Sequence, residues 1–190
     1  MQDYSGIQEF YETFIKLEQI KRQGWVKRNI PAERIEDVSN HTLQCIMLGS
    51  VFCRELKLYY NLSRMLEMMF IHDVGEVIIG DAAVGDENYM EKKKREQDAV
   101  LTALGPLSSI TAAYYYSLWK EFEEKSTPLG KFCYEVDKIS AVMRAKQYSK
   151  EYDRPDVLES FYSHAEENEI FATSPLLGIF ESLNPNKKRK

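Results

Sequence analysis

An all-α fold is what this sequence predicts, on three observations. Apolar residues recur at three- and four-residue intervals along nearly the whole chain, the spacing of one helical face. The one-in-two alternation of a half-buried strand is almost absent. Between the periodic stretches stand Asn, Ser, Gly and Pro, residues that start and stop helices. With 190 residues, 44% of them hydrophobic, the chain is long enough for one compact core, so a single helical bundle is expected. Its core should span about 7–152, with a less regular, partly helical tail over 153–190.

The first helix is expected from Ile7 to Arg22, with Phe10, Phe14, Leu17 and Ile20 on one face and Gly24 ending it. "NIPAERIEDVSN" then reads as a connection. Ser39 or Asn40 suits an N-cap, so a second helix should start near His41 and turn Ile46, Leu48, Val51 and Phe52 inward. A third begins at Leu62 behind Asn61 and runs through Met65, Met68 and Met69; a methionine stripe at this spacing is core packing. "GDAAVGDENY" interrupts the pattern. "MEKKKREQDAVLTAL" reads as a helix, and its "EKKKRE" run as a charged face. "GPLSSITAAYYYSLWKEFEEK" reads as another, with its proline in the first turn, and "TPLGKFCYEVDKISAVMRAKQYSKEY" as a long one. A last helix is expected across Val157 to His164.

Composition removes several classes of function. A net charge of -5 provides no global positive field to draw the chain onto nucleic acid or anionic lipid, so any phosphate site must be local. No apolar run reaches the roughly 18 residues of a membrane span, and "MQDYSGIQEF" lacks the regions of a signal peptide, so a cytoplasmic protein is expected. Cys45, Cys53 and Cys133 lie in apolar helical patterns without CxxC spacing and read as buried thiols. The terminal "KKRK" reads as a solvated tail.

Against that background "MFIHDVGEVIIGD", residues 69–81, stands out because an apolar run ends in charges. His72 and Asp73 are helical neighbours about 100° apart, so both can lean toward one point off the helix surface. Glu76 follows four residues after His72 and three after Asp73, which places it on the same side. His41 heads one expected helix, and Asp137 interrupts the apolar face of Phe132, Val136 and Ile139 on another. A carboxylate packed on such a face needs a cation or strong donors. A divalent metal would satisfy all four residues.

This pattern of His, then His-Asp, then a later Asp resembles the HD-domain metal-dependent phosphohydrolases, and most closely their small 5'-deoxynucleotidases. The resemblance rests on "GWVKRNI", "EDVSNHTLQ", "HDVGEVIIGD", "LWKEFEEKSTPLGKF" and "VDKISAVMRA", from Trp25 to Ala145. It implies an all-α HD bundle with His41, His72, Asp73 and Asp137 as ligands of one divalent ion. Two imidazoles and two carboxylates suit Mn, Co, Fe, Ni or Zn better than Mg. Such an ion lowers the pKa of water toward about 7 and neutralises a phosphoryl oxygen, both of which phosphomonoester hydrolysis needs. By the same resemblance Glu76 orients the attacking water or protonates the departing 5'-oxygen, and Asp81, after Gly80, sits near the sugar.

Substrate contacts are expected from Trp25, whose flat face suits a base or sugar, and from Arg28, which matches an arginine following the family's tryptophan. In one bacterial branch an arginine directly precedes that tryptophan and helps select deoxyribose. Here Gly24 holds the position and Arg22 and Arg28 are the nearest arginines. The expected substrate is a small nucleotide, a deoxynucleoside 5'-monophosphate. Nucleoside di- or triphosphates, another small phosphate ester, and a non-catalytic nucleotide-sensing module are the alternatives. Twelve Tyr, nine Phe and two Trp, with three consecutive tyrosines at 114–116, point to a partner surface, and the related nucleotidases point to a homodimer.

Overall fold

The computed structural model describes residues 4–81 and 89–186, and the side chains of 89 and 90 are outside that description. The expected "KKRK" tail and most of "GDAAVGDENY" therefore fall outside the described residues. Among those residues the fold is all-α, with ten α-helices, two short 3-10 turns and no strand beyond one isolated bridge between Lys21 and Asp37.

The first helix is shorter than its periodicity predicts. α1 spans Ser5–Phe14, the chain tightens into a 3-10 turn over Ile15–Gln19, and Ile20 is extended. Apolar residues at 10, 14 and 17 suit both helix types, because three-residue spacing also keeps one face in a 3-10 turn. Leu17 is fully buried there. Gly24 ends nothing; it lies inside the four-residue helix α2, Gln23–Val26. A 3-10 turn over Ala32–Arg34 breaks the expected connection.

α3 (Val38–Glu55) is capped by Asp37, two residues before Ser39 and three before Asn40, the caps expected. The Asp37 side chain accepts from the backbone N–H of Asn40 and from the Ser39 hydroxyl, a cap worth about 1 kcal/mol. The earlier start rotates the face: His41, Thr42, Cys45, Gly49, Phe52 and Cys53 are buried, whereas Val51 is exposed and Ile46 and Leu48 are half-buried. α4 (Leu62–Ile71) is capped by Asn61 as expected, and Met65, Met68 and Met69 are core. Gly49 lets α3 approach α4, since a Cβ there would fall 2.8 Å from Met65 Sδ. α5 is the single turn Glu76–Ile79, ended by Gly80 with φ 74°, a conformation that favours glycine.

α6 spans Tyr89–Leu104, and α7 spans Ser109–Glu124 behind a Ser108 cap, which places Pro106 before the helix rather than in its first turn. α8 runs from Pro128 to Glu151 with Thr127 as cap. It is buried nearly all round, from Leu129 to Tyr148, because α3, α4, α7 and α9 (Pro155–Glu167) all pack against it. The last expected helix is thus longer at both ends, and a further short one, α10 (Leu177–Ser182), follows. Val157, Tyr162, Phe171, Leu176 and Phe180 join the same buried cluster, so the core continues past residue 152.

Candidate active site

Three elements converge on the centre. His41 lies in the first turn of α3, His72 and Asp73 at the end of α4, and Asp137 midway along α8. His41 Nε2 stands 2.9 Å from Asp137 Oδ1 and 3.9 Å from Asp73 Oδ2, and His72 Nε2 stands 3.1 Å from Asp73 Oδ2. His41, His72 and Asp137 are buried.

The donor chemistry fits a cation. His72 Nδ1–H donates to the Met69 carbonyl at 2.7 Å, which leaves the Nε2 lone pair of the neutral ring facing the carboxylates. That buried Nε2 makes no well-aligned hydrogen bond among the described residues, although Asp73 Oδ2 stands 3.1 Å away. The field points the same way. Burial opposes a charged His72, yet Asp73, Asp137 and the Met69 carbonyl together raise its pKa. Burial likewise opposes ionised Asp73 and Asp137, but His72, Arg22 and His41 hold Asp73 below the usual carboxylate range, and Lys138 with His41 holds Asp137 well below it. A pocket that stabilises carboxylates and favours positive charge on an imidazole attracts a metal ion.

The remaining expected site residues separate into two groups. Arg22 joins the centre: its guanidinium lies 3.0 Å from Asp81 Oδ1, 3.5 Å from Asp73 Oδ2 and 3.7 Å from Glu76 Oε1. Asp81 also accepts the backbone N–H of Gln23, fixing the start of α2 against the site. Glu76 is pushed well above the usual carboxylate range by burial and by the charges of Asp73 and Asp81, with Arg22 opposing. A cavity of about 80 Å³ opens here, lined in part by His72, Asp73, Glu76, Trp119, Glu96 and Glu123.

Trp25 and Arg28 do not reach it. Trp25 is 2% exposed, stacked on Phe161 at 4.4 Å, edge-on to Tyr148 at 5.1 Å, and its Nε1–H donates to Glu36 at 2.9 Å. Its rings are core, which corrects the expectation of a face turned to a base. Glu36 also receives Gln44 and Arg144, so this buried carboxylate organises the α2–α3–α8 junction. Arg28 donates to Ser160 Oγ and, at 2.9 Å, to the Gly24 carbonyl, with its guanidinium over Phe161; it ties α2 to α9.

Two residues that sequence reasoning passed over stand at the centre. Cys45, one turn after His41, places Sγ 3.5 Å from His41 Nε2, and its sulfur and one ligating atom each of His41, His72 and Asp137 lie within 4.8 Å of one another. Lys138 Nζ is 2.7 Å from Asp137 Oδ2. The i+4 spacing from His41 and the direct adjacency to Asp137 are the signals by which each could have been found.

A family model described as "HD domain" matches residues 14–174. A Danio rerio protein named 5'-deoxynucleotidase HDDC2 is 30% identical over 182 residues, covering 95% of this chain and 88% of its own length. Among solved structures, the PH0347 protein of Pyrococcus horikoshii superposes with a TM-score of 0.76 at 22% identity, over 92% of this chain and 96% of that one. A Magnetospirillum magnetotacticum protein, described as a predicted metal-dependent phosphohydrolase, superposes with a TM-score of 0.69 at 23% identity, over 94% and 89% of the two chains. At these identities the two structures establish likeness of fold.

Proposed function

The chain belongs to the HD-domain family, and from that membership and the geometry of its centre we propose that it hydrolyses deoxynucleoside 5'-monophosphates to nucleoside and phosphate. It is a metal-dependent phosphohydrolase. The observation that carries the reading is the convergence of buried His72 Nε2 with His41, Asp73 and Asp137, with Glu76 and Asp81 alongside. His41, His72, Asp73 and Asp137 hold one divalent ion, and their two imidazoles and two carboxylates favour Mn, Co, Fe, Ni or Zn over Mg. The ion supplies a lowered water pKa and a positive charge for the phosphoryl group.

The chain's own groups do the rest. Arg22 offsets part of the negative charge of Asp73 and Asp81 and lies beside Glu76, which lets three acidic side chains crowd one side of the centre. Burial among carboxylates favours the protonated form of Glu76, which suits a group that passes a proton to a departing 5'-oxygen. Asp81 is half-buried against Arg22 and α2, where it fixes the edge of the cleft that receives the sugar.

The test is phosphate release from ribo- and deoxynucleoside 5'-monophosphates and triphosphates, with each metal added back to stripped protein. Metal-dependent release from the deoxynucleoside monophosphates is expected. Turnover confined to triphosphates, or no turnover with any metal, would overturn the reading.

We also read the protein as a cytoplasmic homodimer, a reading that its three buried free thiols and its exposed apolar rows support. No helix among the described residues is long and apolar enough to cross a membrane. Tyr114 is partly exposed with its hydroxyl on Glu67, while Tyr115 and Tyr116 are half-buried. A clearer apolar row is Leu43, Met47 and Val51, four residues apart on α3 and 63%, 50% and 44% exposed. Sedimentation velocity at micromolar concentration should show a dimer that Met47→Glu weakens; monomer alone would refute the assembly.

A further inference from the structure

We propose that Lys138 is a substrate contact, its ammonium gripping the phosphoryl oxygens of the bound ester; this rests on the phosphate-ester reading above. Asp137 presents its two oxygens to different neighbours. Oδ1 faces His41 Nε2 at 2.9 Å, on the side of the quartet, and Oδ2 takes Lys138 Nζ at 2.7 Å. The ammonium therefore borders the centre without occupying it. Tyr134, one turn earlier on α8, holds the ammonium 5.0 Å from its ring centroid, and Lys125 lies over the same ring at 4.0 Å. The Lys138 side chain as a whole is 38% exposed.

Charge balance explains why this cation matters. Among the described residues, two cations touch the quartet's carboxylates, Arg22 and Lys138. Arg22 is already committed to Asp73, Glu76 and Asp81 and is 19% exposed. An ammonium has three N–H donors, and Asp137 Oδ2 takes one of them. Two remain for an anion. Glu96 and Glu123 line the cavity beside His72 and Asp73 and oppose a phosphomonoester dianion, so a donor cation bordering the centre has a repulsion to offset. Lys138 meets that need as a point charge of the kind that binds phosphate.

Lys138→Met, Lys138→Gln and Lys138→Arg in the full chain provide the test, read by metal content, by calorimetric binding of inorganic phosphate, and by KM and kcat for a deoxynucleoside 5'-monophosphate. In the Met and Gln variants phosphate affinity should fall and KM rise about 10–100-fold, the loss of one charge-assisted contact, with metal content unchanged. Arg should restore most of the affinity. Unchanged phosphate binding would overturn the proposal, as would metal loss with undiminished phosphate affinity in the fraction still loaded, because Lys138 would then only order Asp137. If Met fails to fold, Gln, polar and uncharged, decides. Failure of the wild type to cleave any phosphate ester would sink the functional reading instead; phosphate binding by wild type and variant still decides Lys138.

Discussion

His72→Ala is expected to strip the metal from the protein and abolish turnover. The imidazole is fixed from behind by the 2.7 Å hydrogen bond of Nδ1–H to the Met69 carbonyl, so Nε2 is aimed before any ion arrives. Loss of an outer partner of a ligating histidine typically costs 10–100-fold in metal affinity, and loss of the ligand itself should exceed about 100-fold. Stability should fall as well. Removing the ring and its cation leaves buried Asp137 and half-buried Asp73 with less compensation, a situation worth up to about 3–5 kcal/mol. Metal analysis beside thermal unfolding checks both halves. His72→Gln, closer in volume, separates them: it should lose metal with a smaller drop in Tm. A His72→Ala protein that retains one ion per chain would remove His72 from the ligand set.

How much of this was legible beforehand varies with the range of the interactions involved. α4 and α8 were legible because each pairs an apolar period with residues suited to a helix start, Asn61 for α4 and Thr127-Pro128 for α8. The convergence of His41, His72, Asp73 and Asp137 was legible for a related reason, since a polar residue on a packed face needs a partner and four such residues can satisfy one another. Trp25 was not. Whether an indole plugs a core or faces a ligand depends on where its N–H goes, and its acceptor, Glu36, belongs to a different element. Arg28 follows the same logic, its partner Ser160 lying 132 residues away. The end of α1 at Phe14 was hidden because a 3-10 turn satisfies the same apolar spacing, and the capping register of α3 because Asp37, Ser39 and Asn40 are all competent caps and only Asp37 is placed to collect the other two. Lys138 was overlooked because a lysine on a helix is ordinarily solvated, and its adjacency to Asp137 becomes informative once Asp137 is known to be buried.

Glu76→Gln should leave the ion in place and lower kcat about 10²–10⁴-fold, the usual cost of a lost general acid or base. The substitution keeps the side chain's size and an oxygen toward Arg22, 3.7 Å away in the wild type, while removing the exchangeable carboxyl proton. Glu76 sits on α5, three residues beyond Asp73. It therefore shares the cleft with the quartet, but its recorded ion pair is with Arg22 rather than with either histidine. On the proposed reading that geometry suits a proton carrier beside the ligands. Its pH behaviour gives a second check. Burial and the charges of Asp73 and Asp81 raise its carboxyl well above the ordinary range, so the protonated form persists to higher pH than for a free glutamate. As an acid in the rate-limiting step, it should give the wild type a kcat that falls as pH rises through that raised value. The Gln variant, with no proton to lose, should lack this limb. Metal content, kcat and the pH profile together discriminate. If Glu76→Gln sheds metal as readily as His72→Ala, the glutamate is a fifth ligand. If it keeps full activity with an unaltered profile, Glu76 carries no proton, and Asp81, held by Arg22 and the Gln23 N–H, is the carboxylate to test next.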